Sequence, residues 1–203
     1  NPIIISTGRA SVEEIDRAIR AAREAGAINI LLLHCISAYP TPIEESNLKT
    51  IRDLSERYKT SVGLSDHTIG QLAATLAVAQ GAVLIEKHLT LSRYNGAIDN
   101  AFSLEPDELK KLIKNTKTAY FAMGQPTYGP TKTEKSTLIL RRSLYAVSDI
   151  KVGDTLTSKN IRSIRPNLGL EPKFYKDILG KSAAKNIKRG QPLNFSMING
   201  LED

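Results

Sequence analysis

An α/β chain is predicted by three features of the 203-residue sequence. Short apolar runs alternate with amphipathic helical stripes four times within residues 1–123. The units recur at roughly 30 residues, the spacing of parallel strands joined by crossover helices. Past residue 123 this beat stops: residues 124–140 read as a linker, and 141–203 as a small β-rich domain.

The first strand is expected over Pro2–Ser6, a β-branched run closed by Thr7-Gly8. Ser11 and Glu14 then have the spacing of a capping box, in which each side chain satisfies an amide of the helix's first turn. Ile15, Ala18, Ile19, Ala22 and Ala25 form the apolar stripe of that helix, and Gly26 suits its left-handed stop. The second run, Ile28–Leu33, ends in His34, and Pro40 and Pro42 keep the following loop out of helix. A helix over Glu44–Tyr58 leads to a third strand, Ser61–Asp66, ending in His67. A small-residue helix over Ile69–Gln80, stopped by Gly81, leads to a fourth, Ala82–Lys87, ending in His88. A polar loop follows, and Pro106 opens a last helix over Asp107–Met123. Apolar strands between amphipathic helices imply a sheet covered on both faces. An open doubly wound sheet or a stretch of a (β/α)8 barrel satisfies this pattern; no Gly-rich turn follows the first strand, which argues against a dinucleotide fold.

The C-terminal segment echoes itself. Asp149-Ile150-Lys151-Val152-Gly153 matches Asn186-Ile187-Lys188-Arg189-Gly190, and Ile161 matches Ile198 at the same offset. Gly153 and Gly190 suit turns with positive φ. The expectation is a quasi-two-fold β module interrupted by one short helix near Pro172–Leu179, and small enough to need docking.

Composition narrows the function classes. A 41% hydrophobic, 24% charged balance is that of a soluble globular protein, and no apolar run approaches a membrane span. One cysteine, Cys35, agrees with a reducing compartment, so a cytoplasmic protein is expected, without a membrane partner. The net charge of +7 is compatible with an anionic substrate, but scattered lysines, no Trp and 5% aromatics argue against nucleic acid.

The chemistry gathers at the strand ends. His34, His67 and His88 each close an apolar run, so parallel strands would bring them to one rim, where α/β folds place their sites. His67 and His88, on neighbouring strands, can converge on one ion, with Asp66, Glu86 or Asp99 as oxygen ligands or acceptors behind the imidazoles. Two imidazoles with carboxylate and water suit a borderline-to-hard divalent cation, able to polarise a carbonyl as a Lewis acid. Ser37 and Tyr39, on the proline-stiffened loop, are placed to hold a polyhydroxylated ligand; Cys35 reads as a buried small residue.

Four segments, His34-Cys35-Ile36-Ser37-Ala38-Tyr39-Pro40-Thr41-Pro42, Gly63-Leu64-Ser65-Asp66-His67-Thr68, Ile85-Glu86-Lys87-His88-Leu89-Thr90 and Ser103-Leu104-Glu105-Pro106, resemble in order the signatures of the sialic acid synthase family. Arg141–Tyr145 and Arg162–Pro166 resemble its pseudaminic acid branch, with N-acetylneuraminate and legionaminate synthesis as alternatives. The resemblance implies the second half of a (β/α)8 TIM barrel followed by an antifreeze-like (SAF, β-clip) domain. It implies condensation of phosphoenolpyruvate with an amino sugar, and a divalent metal (Mn²⁺, Mg²⁺ or Co²⁺) held by His67 and His88. It further implies Glu86 and Asp99 as catalytic groups, and Ser37, Tyr39, Ser65 and Arg165 as substrate-binding groups, Arg165 being delivered to the neighbouring protomer of a domain-swapped homodimer. Arg9, Ile36 and His34 depart from the usual pattern, His34 following the sialic acid pattern where the pseudaminic branch often has lysine. Members carry four more βα units upstream, so this chain alone is expected to turn over little substrate. A reading from another class is a non-catalytic carbohydrate- or partner-binding module.

Overall fold

The computed structural model describes residues 2–201 and separates into two compact units, Asn1–Pro126 and Thr127–Asp203. The first unit alternates β1 (Ile3–Ser6), α1 (Val12–Glu24), β2 (Ile30–Cys35), α2 (Lys49–Tyr58), β3 (Ser61–Asp66), α3 (Leu72–Ala79), β4 (Ile85–Lys87) and α4 (Pro106–Met123). All neighbouring strands pair in parallel, in the order β1-β2-β3-β4. That order decides between the two candidate architectures. A doubly wound sheet reverses direction at a switch point to put helices on both faces. Consecutive strands with same-handed crossovers put every helix on one face, as in a barrel segment.

Coverage of both faces is therefore not what the structure shows. The core joining helices to sheet takes alternate strand residues, Ile30, Leu32, Val62 and Leu64, against Ile15, Ile19, Ile51, Leu54 and Ala77. Each fully buried aliphatic such as Leu32 or Ile51 contributes about 1.5–3 kcal/mol. The intervening residues line the opposite face, where Ile4 is 56% exposed.

Local chemistry sets the element ends. The capping box of α1 is formed: Glu14 N donates to Ser11 Oγ at 3.3 Å and Ser11 N to Glu14 Oε2 at 2.8 Å. The helix expected from Glu44 is instead a 3-10 turn, Ile43–Glu45, separated from α2 by Asn47 in the left-handed region (φ 42°), whose side-chain amide donates to Glu45 O. Asn competes for backbone groups, and here Asn47 breaks the helix. Gly70, at φ 83°, delays α3 to Leu72. Ile28 is exposed and β2 starts at Ile30; β4 is short, yet Val83 N→Val62 O and Leu64 N→Leu84 O continue its ladder. α4 begins at Pro106 as expected and packs on α3 through Ala74, Leu104 and Leu112.

In the second unit, the segment expected to be linker carries a 3-10 helix, Glu134–Leu140. Its start is secured by Thr131, which donates from N and Oγ1 to Glu134 Oε2. The sheet is β5 (Ser143–Ala146) antiparallel to β6 (Ile161–Ile164), and α5 (Tyr175–Ile178) follows a 3-10 turn at Pro172–Phe174. The two echoes pair with each other: Ile150 and Ile187 exchange both backbone hydrogen bonds. Asp149 Oδ1 accepts from Arg189 N at 2.8 Å, and Asn186 Oδ1 from Val152 N at 2.9 Å, at equivalent positions of the two copies. The Arg189 amide, then the Lys188 ammonium, hold the Asp149 carboxyl below its ordinary range. Gly153 (φ 86°) and Gly190 (φ 82°) turn as expected. Leu144, Leu156, Ile161, Ile187 and Leu193 form this unit's own core. Among the described residues, no helix is long and apolar enough to cross a membrane.

Candidate active site

Side chains alternate along a strand, so Ser65 and Glu86, which are register partners, share the face turned away from the helices. Ser65 Oγ donates to Glu86 Oε1 at 2.6 Å. Two residues further, past the ends of β3 and β4, His67 and His88 meet with ring centroids 5.3 Å apart, edge to face. Tyr39 lies 4.3 Å from the His67 ring and Phe102 5.0 Å from the His88 ring, so four rings close one corner of the rim. His67 is buried; the side chain of His88 is 37% exposed.

The histidines are oriented from behind. His67 Nδ1 lies 3.0 Å from Ile36 O, and a carbonyl only accepts, so in the neutral ring the proton sits on Nδ1 and Nε2 keeps a lone pair. A backbone acceptor behind an imidazole is the usual way a ligand histidine is aimed. His88 Nδ1 is 3.7 Å from Asp99 Oδ2, within ion-pair range but beyond a hydrogen bond. Asp99 is held in the left-handed region (φ 69°), with Ser103 Oγ and N donating to its carbonyl. Ser37 belongs to the same corner: its Oγ is 3.9 Å from Cys35 Sγ, itself 3.9 Å from His67 Nδ1, and its carbonyl accepts from Arg9 Nη2 at 3.1 Å. A side chain at Gly8 would collide with Ser37 Oγ, so glycine at that position permits the close approach.

Two expectations need correction. His34 does not share the rim with the other histidines. It lies inside β2, paired with Leu64, and alternation sends it to the helix side, where Nε2 donates to Ser46 O at 2.8 Å. Asp66 also alternates to the helix side, where its carboxylate is occupied by Lys87 and Thr68 rather than offered to an ion.

Burial lowers the pKa of His34 despite the opposing bond to Ser46 O. A base whose folded pKa is lowered takes its proton in the unfolded state first, so stability falls as pH drops below the ordinary histidine value of about 6.5. Urea midpoints measured at pH 7.5 and 5.5 are expected to show a smaller acid loss for His34→Asn than for the parent chain; an equal loss would refute this assignment.

The donor set fits a divalent cation in part. Among the described residues, no group of three or more His, Cys, Asp or Glu is arranged to hold an ion alone. Were a cation bound here, His67 and His88 would supply two nitrogen donors, and the remaining positions would fall to water and substrate oxygens, as an open Lewis-acid site requires. Arg165 belongs to the second unit, exposed just past β6. The turn after it is pinned by the buried Ser143, whose Oγ donates to Pro166 O and accepts from Leu168 N and Gly169 N. Sequence reasoning passed over Phe102 and Lys87. Phe102 shares its loop with a second aromatic, Tyr94, and nothing in the pattern singles it out, whereas Lys87 precedes His88 as Asp66 precedes His67, so opposite charges at equivalent positions were a legible signal.

Comparison with known proteins extends these observations. The model of the NeuB family matches residues 1–128, and that of the SAF domain residues 141–199. The pseudaminic acid synthase of Helicobacter pylori is 43% identical over 195 residues, covering 95% of this chain and 57% of that protein. The N,N'-diacetyllegionaminic acid synthase of Campylobacter jejuni is 41% identical over 192 residues, covering 93% and 58%. The crystal structure of an N-acetylneuraminic acid (sialic acid) synthetase from Leptospira borgpetersenii superposes with a TM-score of 0.62 at 36% identity, covering 68% of this chain and 48% of that one. The chain thus spans 57–58% of the length of these two curated relatives.

Proposed function

This chain belongs to the NeuB family, and on that premise we propose that it supplies the metal-binding part of a nonulosonic acid synthase active site, in the second half of a (β/α)8 barrel. The substrates are phosphoenolpyruvate, an open-chain amino sugar and one water molecule, the products a nonulosonic acid and phosphate. The observation that carries this reading is the convergence of His67 and His88, with the His67 Nε2 lone pair left free by the Ile36 carbonyl. A divalent cation (Mn²⁺, Mg²⁺ or Co²⁺) held there would polarise the sugar aldehyde towards attack by the enol carbon.

The chain's own groups do the rest. Glu86, oriented by Ser65 Oγ, presents a carboxylate beside the histidines that can hold a sugar hydroxyl or move a proton. Asp99 steadies the His88 ring. Tyr39, tilted at 43° against the His67 ring, offers an apolar face to the sugar, and Ser37 adds a hydroxyl. Arg165, from the SAF domain of a neighbouring protomer in a swapped dimer, would add a cation for the anionic substrate.

Pseudaminic acid is the proposed product, on the 43% identity to that synthase; the 41% identity to a legionaminic acid synthase keeps that sugar as the second reading. The test is a chimera carrying the upstream segment of the Helicobacter pylori enzyme, assayed for phosphate release with phosphoenolpyruvate, Mn²⁺ and each candidate sugar. The chimera is expected to turn over the diacetamido-trideoxy hexose precursor of pseudaminic acid fastest, and the 203-residue chain alone to stay at background. Faster turnover of the legionaminate precursor would replace the sugar assignment, and chimera-like rates from the chain alone would overturn the half-site reading.

A further inference from the structure

Asp66 and Lys87 form an ion pair at 2.9 Å whose side chains are 1% and 3% exposed. Their polar atoms are satisfied. Asp66 Oδ2 accepts from Lys87 Nζ; Oδ1 accepts from Thr68 N at 2.9 Å and Thr68 Oγ1 at 2.8 Å; Lys87 Nζ also donates to Thr68 O. A buried pair of this kind adds little stability over well-packed apolar residues of the same volume. Its place in the fold gives it another use. Asp66↔Lys87 is the last register pair of the β3–β4 ladder, and the next residue on each strand is a site histidine. Asp66 and Thr68 bracket His67, and both are tied to the side chain that immediately precedes His88. β4 is only three residues long and lies at the edge of the sheet order; past the strand ends His88 O accepts from Leu104 N at 2.9 Å and His67 O from Thr41 N at 3.0 Å, so the backbone at each histidine is anchored to a different loop and the Asp66–Lys87–Thr68 tie is a side-chain link between the two ends.

We propose that the Asp66–Lys87–Thr68 tie is a positioning device that holds the imidazoles of His67 and His88 at the spacing needed to share one ion. These residues lie on the helix side and touch no substrate; they act through the histidines. The inference rests on the metal reading above for its function, but its geometry is testable without metal.

The experiment uses the 203-residue chain and its Asp66→Asn/Lys87→Met variant, which removes the tie while leaving two neutral side chains of similar size. Mn²⁺ affinity is measured by electron paramagnetic resonance, the imidazole ¹H–¹⁵N spectrum is recorded without metal, and thermal unfolding is followed in parallel. Expected are altered signals from both histidines and a loss of roughly ten- to a hundredfold in Mn²⁺ affinity, the usual effect of removing groups that orient metal ligands. A folded variant with parental affinity and parental imidazole signals overturns the proposal. If that variant is unfolded, Lys87→Arg decides in the same way, since it keeps the charge pair but changes the length of the tie. His67→Ala and His88→Ala separate the two readings: if the parent chain binds Mn²⁺ no better than these, the metal reading falls and the imidazole spectra alone decide the tie.

Discussion

Alanine at His67 or at His88 is expected to lower turnover of the barrel-completed chain by roughly a hundred- to a thousandfold. Polarisation of a carbonyl by a bound cation is worth several kcal/mol of transition-state stabilisation, and each tenfold in rate is about 1.4 kcal/mol. Removing one of two protein ligands, where no group of three or more His, Cys, Asp or Glu among the described residues is arranged to hold an ion, forfeits most of that stabilisation. Mn²⁺ binding is expected to fall with turnover. Phosphate-release kinetics and spin resonance on the same preparations check this. An alanine variant that loses Mn²⁺ but keeps its rate would mean that the histidines serve binding or packing rather than chemistry.

Gly63→Ala is expected to destabilise the first unit by about 3 kcal/mol, at the upper end of the usual cost of overpacking. A Cβ on Gly63 would lie 2.5 Å from Leu84 O and 2.7 Å from Leu33 Cδ2. The leucine methyl can rotate away, but the oxygen is fixed in the sheet, accepting from Leu64 N at 2.9 Å. Shortening the neighbour in Gly63→Ala/Leu33→Ala should therefore rescue little. Because Gly63 precedes Ser65 by two residues on the same face, the variant should also disturb the Ser65–Glu86 hydrogen bond and the rim above it. Chemical denaturation reads the stability directly, and a change below about 0.5 kcal/mol would show that the strands can separate at no real cost.

How much of this was legible in advance depends on the range of the forces involved. The alternation of apolar runs with capped amphipathic stripes depends on neighbours a few residues apart, so the βα rhythm, the Ser11–Glu14 box and the Pro106 start were readable one element at a time. The pairing of the two C-terminal echoes was readable as likeness, though not as contact. Where a local competitor interrupted a helix, as Asn47 does at φ 42°, pattern alone overran the true boundary.

The site divides along the same line. That histidines close successive strands, and that His67 and His88 belong to neighbouring ones, follows from order along the chain, because parallel crossover units bring successive strand ends to one rim. Which of them face the same way was decided by register and by where each strand stops. A two-residue extension of β2 relative to the expected run leaves His34 inside the strand and turned to the helices, while His67 and His88 stand past the ends of theirs. Alternation has a period of two, so a shift of one residue moves a side chain to the opposite face. The same parity took Asp66 from the ion and gave it to Lys87, a contact between residues 21 apart that exists only once β3 and β4 are paired.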